Sequence, residues 1–575
     1  MGKFLLGVLT GFALVFLVLV LVLVLVAAVR MRNRAPDVAD NSVLVLRLEG
    51  EVPEKPGVEL PILDSGRGAV TVTSLWVALR QAAADRRIKA VVLEPEGLQA
   101  GWAKIEEIRT DLVTFRRSGK PVYAYLRNPG GREYYVALAA DRIYLGPEDP
   151  LMLKGMRAEI LYFKNTLGKL GVTVEVEHAG KYKDFGDMFT RSDMSPETRE
   201  VTSSVIDDLF ANLVNRIAEA RHKTPDQVRA LIDTGPFTAT KARQAGLVDS
   251  LAFEDQMWSE LKDKLHAGEP SKVSIEKYIK VPAEAAGLRA GSRIALVAGE
   301  GDIVRGDPDD EGTDGQLGSY GFDRLLREAG ADSSIKGVIV RIDSPGGEVT
   351  ASDEIWREMK LLSQKKPLVI SMSDLAASGG YYMALTGDTI VAYPGTETGS
   401  IGVVFGKPDL RGLYDKLGVS KDAVERGRNA GIDSDYTSLT AAQRDLLQAG
   451  IDESYHAFVE KVAEARHKPY ADIEPLAQGR VWLGSQAQPR GLVDALGGLD
   501  TALALLKKKA KIPDAENVSM VMYPARRSLF DLLFKRSGEE SLAAAQLHRV
   551  FGRVPYHAWM RGGMLRLTPI WLEVR

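Results

Sequence analysis

The chain contains an internal repeat, and this repeat limits the possible fold more than any other feature. The segment IKAVVLEPEG from Ile88 resembles IKGVIVRIDS from Ile335, 247 positions later. The same offset relates Tyr134-Tyr135 to Tyr381-Tyr382, Asp141 to Asp388, Pro147 to Pro394, and KLGV from Lys169 to KLGV from Lys416. Farther on the offset is 245, as in EARHK from Glu219 and from Glu464. So many matches in one order predict two tandem copies of one structural unit.

We place the two units at 40–265 and 291–505, each of a size typical of a domain. A polar connection at 266–290 contains Pro and Gly and joins the two units. An N-terminal segment at 1–34 precedes them, and an extension at 506–575 follows them. That extension includes the basic amphipathic stretch RRSLFDLLFKRS at 526–537, which we expect to dock on the protein or lie on a membrane surface.

Each unit alternates short apolar runs with helical patterns. VLVLRL at 43–48, KAVVLE at 89–94 and KGVIVRI at 336–342 are typical of strands buried in a parallel sheet. After Ser195-Pro196, the spacing of Val201, Val205, Leu209, Leu213 and Ile217 predicts one face of a long helix. A helix of the same kind is predicted after Thr440. Strands that alternate with helices predict an α/β fold in both units.

The composition excludes several classes of protein. The 575 residues include 74 Lys+Arg and 77 Asp+Glu, a near balance that argues against a nucleic-acid partner. Because Cys is absent, there is no disulfide, no Cys-ligated zinc and no cysteine nucleophile. The seven His show no metal-ligand spacing, so we expect neither a metal nor another cofactor.

The N-terminus contains a long uncharged run that covers residues 4–29. A helix of this length spans roughly 39 Å, more than the hydrocarbon core of a bilayer. A cleaved signal peptide is the alternative, but its apolar region is usually only about 7–15 residues long. We therefore predict a single transmembrane anchor with the lipid bilayer as a partner. Arg30, Arg32 and Arg34 follow the run, and the positive-inside rule would place the large domains in the cytoplasm.

The second unit contains three motifs that suggest acyl-transfer chemistry: RIDSPGG at 341–347, SDLAASGGYYMAL at 373–385 and GTETGSIGVVF at 395–405. Ser378 lies at a turn that opens a helical run, where its hydroxyl could act as a nucleophile. The amides of Gly346 and Gly379 are candidate oxyanion donors. The alternative is that these small residues only permit close helix–strand packing.

A hydroxyl nucleophile needs a base, and the repeat suggests one. The second unit has two histidines, His456 and His467, and we interpret His467 as structural because it has a repeat partner, His222. A Ser-His-Asp triad stays open, although nothing in the sequence points to one. Ser378 corresponds to Gly131 in the first unit, whereas Lys183 corresponds to Ala430 in the second. Each copy has thus lost what the other kept, as expected of one site shared by two diverged copies. Taken alone, Lys183 would be read as a surface lysine.

Together with GKYKDFGDMFTRSDMS from Gly180, these motifs resemble the long, two-domain form of the signal peptide peptidase A (protease IV) family. The resemblance implies Clp/crotonase-like units, Ser378 as nucleophile and Lys183 as general base, with Ser400 as a possible orienter of the lysine. It also implies signal-peptide remnants and other apolar peptides as substrates, and a homotetramer. It further implies catalytic domains on the periplasmic side of a bacterial inner membrane, in conflict with the three flanking arginines.

A lysine can serve as a base only when it is neutral, although its unperturbed pKa is about 10.4. Burial can lower the pKa by roughly 3–5 units. We therefore expect Lys183 to be dry, with Asp184 and Asp187 turned away from its amine. Two other functions remain open: a catalytically inert membrane scaffold, and a crotonase-like acyl-CoA enzyme that would need carboxylate acid–bases instead of a Ser-Lys pair.

Overall fold

The computed structural model describes residues 36–55, 70–266, 268–289, 291–307, 315–524, 564–567 and 573–574. The predicted anchor at 4–29 and the amphipathic stretch at 526–537 lie outside these residues. Among the helices within the described ranges, none is long and apolar enough to cross a membrane.

The first unit is built on a six-stranded parallel sheet. The strands of the first unit, in chain order, are β1 (Ser42–Glu49), β2 (Ile88–Glu96), β3 (Val122–Leu126), β4 (Arg142–Leu145), β5 (Ala158–Glu159), β6 (Thr173–Ala179), β7 (Ser250–Leu251) and β8 (Ser271–Ser274). The sheet has the order β7-β4-β3-β2-β1-β8, and all of its neighbouring strands are parallel. β5 and β6 lie outside this sheet, so part of the first unit is free to contact the second.

The described residues of the first unit also form ten helices. They are α1 (Val72–Ala84), α2 (Trp102–Arg116), α3 (Gly131–Ala137), α4 (Lys164–Leu170), α5 (Asp187–Thr190), α6 (Pro196–Arg221), α7 (Pro225–Thr234), α8 (Ala239–Gln244), α9 (Glu254–Leu265) and α10 (Ile275–Tyr278). The Ser195 side chain caps α6 by accepting a hydrogen bond from the amide of Thr198 at 3.0 Å. The long helix predicted after Ser195-Pro196 is therefore confirmed.

The second unit repeats the arrangement. Its strands are β9 (Ser292–Glu300), β10 (Asp302–Val304), β11 (Gln316–Gly318), β12 (Ile335–Ser344), β13 (Gly346–Glu348), β14 (Leu368–Ala377), β15 (Thr389–Ala392), β16 (Glu397–Gly399), β17 (Val403–Asp409), β18 (Val481–Leu483), β19 (Ala495–Leu496) and β20 (Val518–Tyr523). The main path of its eight-stranded sheet is β18-β16-β14-β12-β9-β20, and β15 and β19 branch from β14.

The described residues of the second unit form eight α-helices. They are α11 (Ser319–Ala331), α12 (Val349–Lys365), α13 (Gly379–Met383), α14 (Arg411–Leu417), α15 (Ala441–Ala465), α16 (Tyr470–Ile473), α17 (Gly484–Ala487) and α18 (Leu499–Lys509), with a 3-10 turn at Glu474–Leu476. Central strands such as β2 and β12 are buried along most of their length, as continuous apolar runs predict for parallel sheets. The predicted α/β class is confirmed.

Each unit extends one strand farther than the sequence analysis placed it. Strand β8 lies in the predicted connection 266–290 and pairs with β1 of the first sheet. Strand β20 lies in the predicted extension 506–575 and pairs with β9 in the same way. The two strands begin 247 positions apart, so they belong to the repeat. The four residues SKVS of β8 bury only Val273, and so short a polar strand has no clear apolar pattern.

A third sheet joins the two units. Its order is β11-β10-β13-β21-β17-β6, where β21 is Met564–Leu567 near the C-terminus. Strand β6 of the first unit pairs antiparallel with β17 of the second along seven residue pairs. The segment of the first unit that contains Lys183 is thus held directly against the second unit. A short strand β22 (Glu573–Val574) pairs with β5.

Buried charges also connect the units. Arg341 of the second unit is fully buried and donates hydrogen bonds to Glu54 and Glu107 of the first unit. Nζ of Lys104 in the first unit lies 2.6 Å from Oδ2 of Asp343 in the second. Because a buried charge without a partner is costly, these pairs favour one arrangement of the two units.

Candidate active site

Ser378 lies where β14 ends and the short helix α13 begins. Its φ of 53° is in the left-handed region, which serine rarely adopts. Two backbone hydrogen bonds hold this turn: the Ser378 amide donates to the Gly399 carbonyl, and the Ser378 carbonyl accepts from the Tyr382 amide, both at 2.8 Å. The strained backbone fixes the direction of the hydroxyl at the end of the central sheet.

The glycines around Ser378 are required by close packing. A Cβ at Gly379 would lie 2.5 Å from the Ser352 hydroxyl oxygen and 3.1 Å from the Cα of Gly346. Gly346 itself has a φ of 108°, a backbone conformation that a residue with a side chain adopts only with strain. The SGG and PGG motifs are therefore brought into contact, as the packing alternative for these residues also predicts.

Lys183 reaches this turn from the first unit. It follows β6, and the Tyr182 amide donates to the Gln478 carbonyl of the second unit at 2.8 Å. A Cβ at Gly479 would lie 2.6 Å from the Cβ of Lys183, and one at Gly402 would lie 3.0 Å from its Cδ. The aliphatic part of the lysine thus packs against glycines of the second unit, which leave room for it.

The structure brings together three side chains that the sequence singled out. Nζ of Lys183 lies 2.8 Å from Oγ of Ser378, and 2.9 Å from both Oγ and the carbonyl oxygen of Ser400. All three residues have an exposed fraction of 0%. Ser400 also has a positive φ, 49°, and its amide donates to the Arg480 carbonyl at 2.8 Å. These contacts hold the amine of Lys183 on the Ser378 hydroxyl.

The two acidic residues that follow Lys183 bind other groups. Asp184 accepts a hydrogen bond from the Thr198 hydroxyl, and Oδ2 of Asp187 lies 3.7 Å from Nε of Arg191. Burial raises the pKa of Asp184 to about 7, an effect that the Thr198 hydrogen bond and the charge of Lys183 only partly offset. Near neutral pH this carboxyl is therefore partly protonated, which weakens its hold on a lysine cation.

The two candidate oxyanion glycines lie beside the nucleophile, but one amide has a partner. The Gly346 amide donates to Oγ of Ser344 at 3.2 Å, and that hydroxyl donates to the Gly301 carbonyl at 2.7 Å. A bond of 3.2 Å is at the long end of the usual range, so an oxyanion could replace it. Gly379 begins α13, directly after Ser378.

Sequence reasoning missed two parts of this arrangement. The segment around Lys183 is held by contacts with Gln478, Gly479 and Arg480, which lie almost 300 positions away and match no motif. Ser344 belongs to the motif RIDSPGG, and its hydroxyl accepts a hydrogen bond from the Gly346 amide, a role that no sequence pattern indicates. Only a three-dimensional contact reveals either group.

The corresponding place in the first unit lacks the two serine hydroxyls. A cavity of about 250 Å³ there is lined by Gly131 and Leu153, which occupy the positions of Ser378 and Ser400 in the repeat. Its Glu133 carboxylate accepts hydrogen bonds from the amides of Leu98 at 2.6 Å and Gly130 at 2.9 Å. This cavity therefore has no hydroxyl at either position. Across the described ranges, no cluster of three or more His, Asp or Glu could hold a metal ion.

Comparison with known families agrees with the duplication. The profile of Peptidase family S49 matches the chain twice, at residues 114–268 and 360–513, once in each unit. The chain belongs to this family, and it is a serine peptidase.

Named relatives span most of the chain. The chain is 34% identical to "Serine protease SPPA, chloroplastic" of Arabidopsis thaliana over 84% of its own length and 71% of the relative. It is 33% identical to "Protease 4" of Salmonella typhi over 82% of its own length and 78% of the relative. A solved structure of a mutant of the "1510-N membrane-bound stomatin-specific protease" aligns with 41% of this chain and 100% of its own at 17% identity and a TM-score of 0.26.

Proposed function

We propose that Ser378 is the nucleophile and Lys183 the general base of this peptidase. The observation that carries the proposal is the 2.8 Å separation between Nζ of Lys183 and Oγ of Ser378, in a place where neither residue is exposed. Burial disfavours a cationic amine, and the two oxygens of Ser400 are neutral hydrogen-bond partners that do not stabilise a positive charge as a carboxylate would. Ser400 acts as a positioning residue for the lysine.

The reaction would be acyl transfer in two steps. Neutral Lys183 removes the Ser378 proton while Oγ attacks the peptide carbonyl, and the oxyanion accepts hydrogen bonds from the amides of Gly346 and Gly379. The lysine then gives its proton to the leaving amine. The same lysine then deprotonates a water molecule, which attacks the acyl carbonyl, and the protonated lysine gives this proton to Oγ of Ser378 as the bond to the acyl group breaks.

The substrates we propose are cleaved signal peptides and other apolar peptides, because one relative is named "Putative signal peptide peptidase SppA". The uncharged run at 4–29 supports a single membrane anchor. We further propose Clp/crotonase-like units, a homotetramer, and catalytic domains on the periplasmic face of a bacterial inner membrane. The charges of Arg30, Arg32 and Arg34 predict the opposite orientation. A reporter that is fused to the C-terminus and active on only one side of the membrane would decide between the two orientations.

The catalytic roles can be tested in the purified full-length chain. Ser378→Ala and Lys183→Ala should each lower hydrolysis of an apolar fluorogenic peptide by about a thousandfold, because each removes a group that takes part in forming the acyl-enzyme. Lys181→Ala is the matched control, since Lys181 is exposed and two residues away. Retained hydrolysis in either site variant would disprove the pair.

A serine-directed fluorophosphonate separates the alternatives. It should label the unmodified chain and not Ser378→Ala, because labelling requires an activated serine. An inert scaffold or an acyl-CoA enzyme without a nucleophilic serine would not be labelled in either form.

A further inference from the structure

The Arg480 side chain connects the two units next to the proposed catalytic residues. Its guanidinium donates a hydrogen bond to Glu200 of helix α6 in the first unit. Its Cζ lies 4.9 Å from the centre of the Tyr182 ring in the first unit and 4.5 Å from the centre of the Trp482 ring in the second. Because Tyr182 directly precedes Lys183 in the chain, the arginine side chain holds the segment that supplies the amine.

The backbone around the same arginine holds the other residue that contacts the amine. The Arg480 carbonyl accepts a hydrogen bond from the Ser400 amide at 2.8 Å. Trp482, whose ring lies under the guanidinium, pairs with Thr398 where β18 and β16 run antiparallel, two residues before Ser400. One residue thus contacts the segment of the base through its side chain and Ser400 through its backbone.

The contacts of Arg480 lead from the buried amine to the surface. Lys183 has an exposed fraction of 0% and Tyr182 one of 7%, whereas the side chains of Arg480 and Glu200 are 14% and 53% exposed. The Tyr182 hydroxyl also donates to Glu200, at 3.1 Å. The hydrogen bond from Arg480 lowers the pKa of the Glu200 carboxyl, so this partner is charged at neutral pH. These mutual contacts restrict the movement of the lysine segment where it meets the surface.

The repeat also links Arg480 to the site. At the offset of 245, its counterpart in the first unit is Gly235, where a Cβ would lie 1.8 Å from the Leu153 carbonyl oxygen. Leu153 is in turn the counterpart of Ser400. The first unit, which lacks both serine hydroxyls, thus has no side chain at this place either. Arg480 belongs with Ser378 and Ser400 to the groups that the second unit alone has.

We propose that Arg480 is a positioning residue for the general base. Its side chain acts through Tyr182 and its backbone through Ser400, so that the amine of Lys183 stays on the Ser378 hydroxyl and away from water. Without the side chain, the two groups meet in a smaller fraction of molecules, and a small displacement is costly for a reaction that depends on their distance. The proposal rests on the proposed function of Ser378 and Lys183.

The first test separates catalysis from substrate binding. Arg480→Met keeps an unbranched side chain beside the two rings but removes the charge and the hydrogen bond to Glu200. With an apolar fluorogenic peptide, kcat on the plateau of its pH profile should fall at least tenfold, and KM should stay within twofold. An unchanged kcat would overturn the proposal, and so would a loss that lies in KM alone.

Arg490→Met is the matched control for this test. The Arg490 guanidinium also lies over the Trp482 ring, at 4.1 Å, but it donates to the Gln486 carbonyl four residues before it rather than to the first unit. Its kcat and KM should therefore stay unchanged. In every variant, kcat is divided by the fraction of chains that a serine-directed fluorophosphonate labels at completion, so a folding defect does not count as lost catalysis.

The second test follows the base without hydrolysis of a peptide. The rate at which the fluorophosphonate labels Ser378 should fall as the pH falls, because only a neutral lysine activates the serine. In Arg480→Met this acid limb should move to higher pH by at least half a unit. Water that reaches the amine and the loss of a nearby positive charge both favour the cationic lysine. A residue that only supports the fold would leave the limb in place, so an unmoved limb overturns the proposal.

The third test asks whether Arg480 acts through its partner in the first unit. Glu200→Ala should lower kcat at least threefold, because it frees the arginine from that unit. The double variant Arg480→Met with Glu200→Ala should lie within twofold of Arg480→Met, since the second change removes an interaction that is already lost. Losses that multiply in the double variant would overturn the proposal.

The labelling experiment also separates failure of this role from failure of the proposed chemistry. If the fluorophosphonate labels Ser378→Ala, or labels Lys183→Ala at the full rate, the proposed pair itself is refuted. If labelling depends on both residues but Arg480→Met behaves as Arg490→Met does, only the role of Arg480 is refuted.

Discussion

The backbone of Ser378 is held in a conformation that serine rarely adopts, and the surrounding structure stabilises it. The amide binds Gly399 and the carbonyl binds Tyr382, while Gly379 allows the turn to lie against Gly346. Positive φ at a non-glycine residue costs about 1–3 kcal/mol and persists only when its neighbours fix it. Ser400 is held in the same way by Arg480. Both hydroxyls that contact Lys183 are therefore placed by strained turns rather than by flexible loops.

The pH dependence of the peptidase should be sensitive to Asp184. Its pKa is raised to about 7 mainly by burial, so it gains a negative charge as the pH rises past neutrality. That charge favours the cationic form of Lys183, in which the proposed base cannot accept a proton. Asp184→Asn should move the acid limb of the kcat/KM profile to lower pH, by about one unit.

The amide oxygen of asparagine can still accept the hydrogen bond from Thr198, so Asp184→Asn keeps the local structure. Asp193→Asn is the control, since its carboxyl belongs to the same segment and is 76% exposed. An acid limb that stays in place or moves to higher pH in Asp184→Asn would contradict this electrostatic coupling.

At the scale of single residues, the sequence singled out side chains that the structure brings together, but it did not indicate their surroundings. Ser378 and Lys183 could be predicted because the repeat shows each of them missing from the opposite copy. The bond from the Gly346 amide to Ser344 could not, because it depends on the exact path of the turn. The clamp of Lys183 by Gly479 joins residues that no local pattern connects.

At the scale of elements, helix α2 of the first unit is capped by a residue of the second. Its N-cap is Gly101, which has no side chain, and Asp374 accepts hydrogen bonds from the amides of Gly101 at 2.7 Å and Lys104 at 2.8 Å. Burial and the charge of Asp343 raise the pKa of Asp374 to about 6, against the opposing effect of Lys104. The carboxylate is thus charged at pH 7 and stabilises the positive end of the helix dipole.

Loss of this cap should destabilise the contact between the units. Asp374→Ala leaves two amides without their acceptor and should lower the free energy of unfolding by about 1–2 kcal/mol at pH 7. Asp374→Asn should lose less, because one amide oxygen can still accept. Urea unfolding of the full-length chain measures the difference, with exposed Asp422→Ala as control. Equal stability of Asp374→Ala and Asp422→Ala would show that the cap contributes nothing.

Elements differed in how well the sequence predicted them. The central strands β2 and β12 could be predicted because continuous apolar runs reveal strands buried on both faces. The edge strand β8 and the four-residue β21 could not, since both are short and owe their conformation to the strands beside them. The pairing of β6 with β17 is a tertiary choice that no period in either segment indicates.

At the scale of the whole molecule, the two copies have divided one site between them. The first copy keeps the segment with Lys183, but it has Gly131 and Leu153 where the second has its hydroxyls. The second copy keeps Ser378 and Ser400, and its counterpart of the lysine segment, around Ala430, is irregular and exposed. Neither unit alone contains both groups. The β6–β17 pairing and the buried Arg341 pairs are what assemble the site.

Because both groups come from one chain, two inactive variants should not restore each other. In a mixed assembly of Ser378→Ala and Lys183→Ala chains, every site formed within a chain lacks one group, so hydrolysis should stay at the level of the separate variants. If sites formed between subunits instead, random mixing at equal amounts would restore about a quarter of them. Differently tagged chains, co-expressed and purified through both tags, make the measurement.

Unmodified chains mixed equally with Ser378→Ala are the control, and they should retain about half of full activity because each intact chain works independently. Activity near a quarter in the mixture of variants would mean that the 2.8 Å contact between Lys183 and Ser378 forms across subunits rather than within one chain.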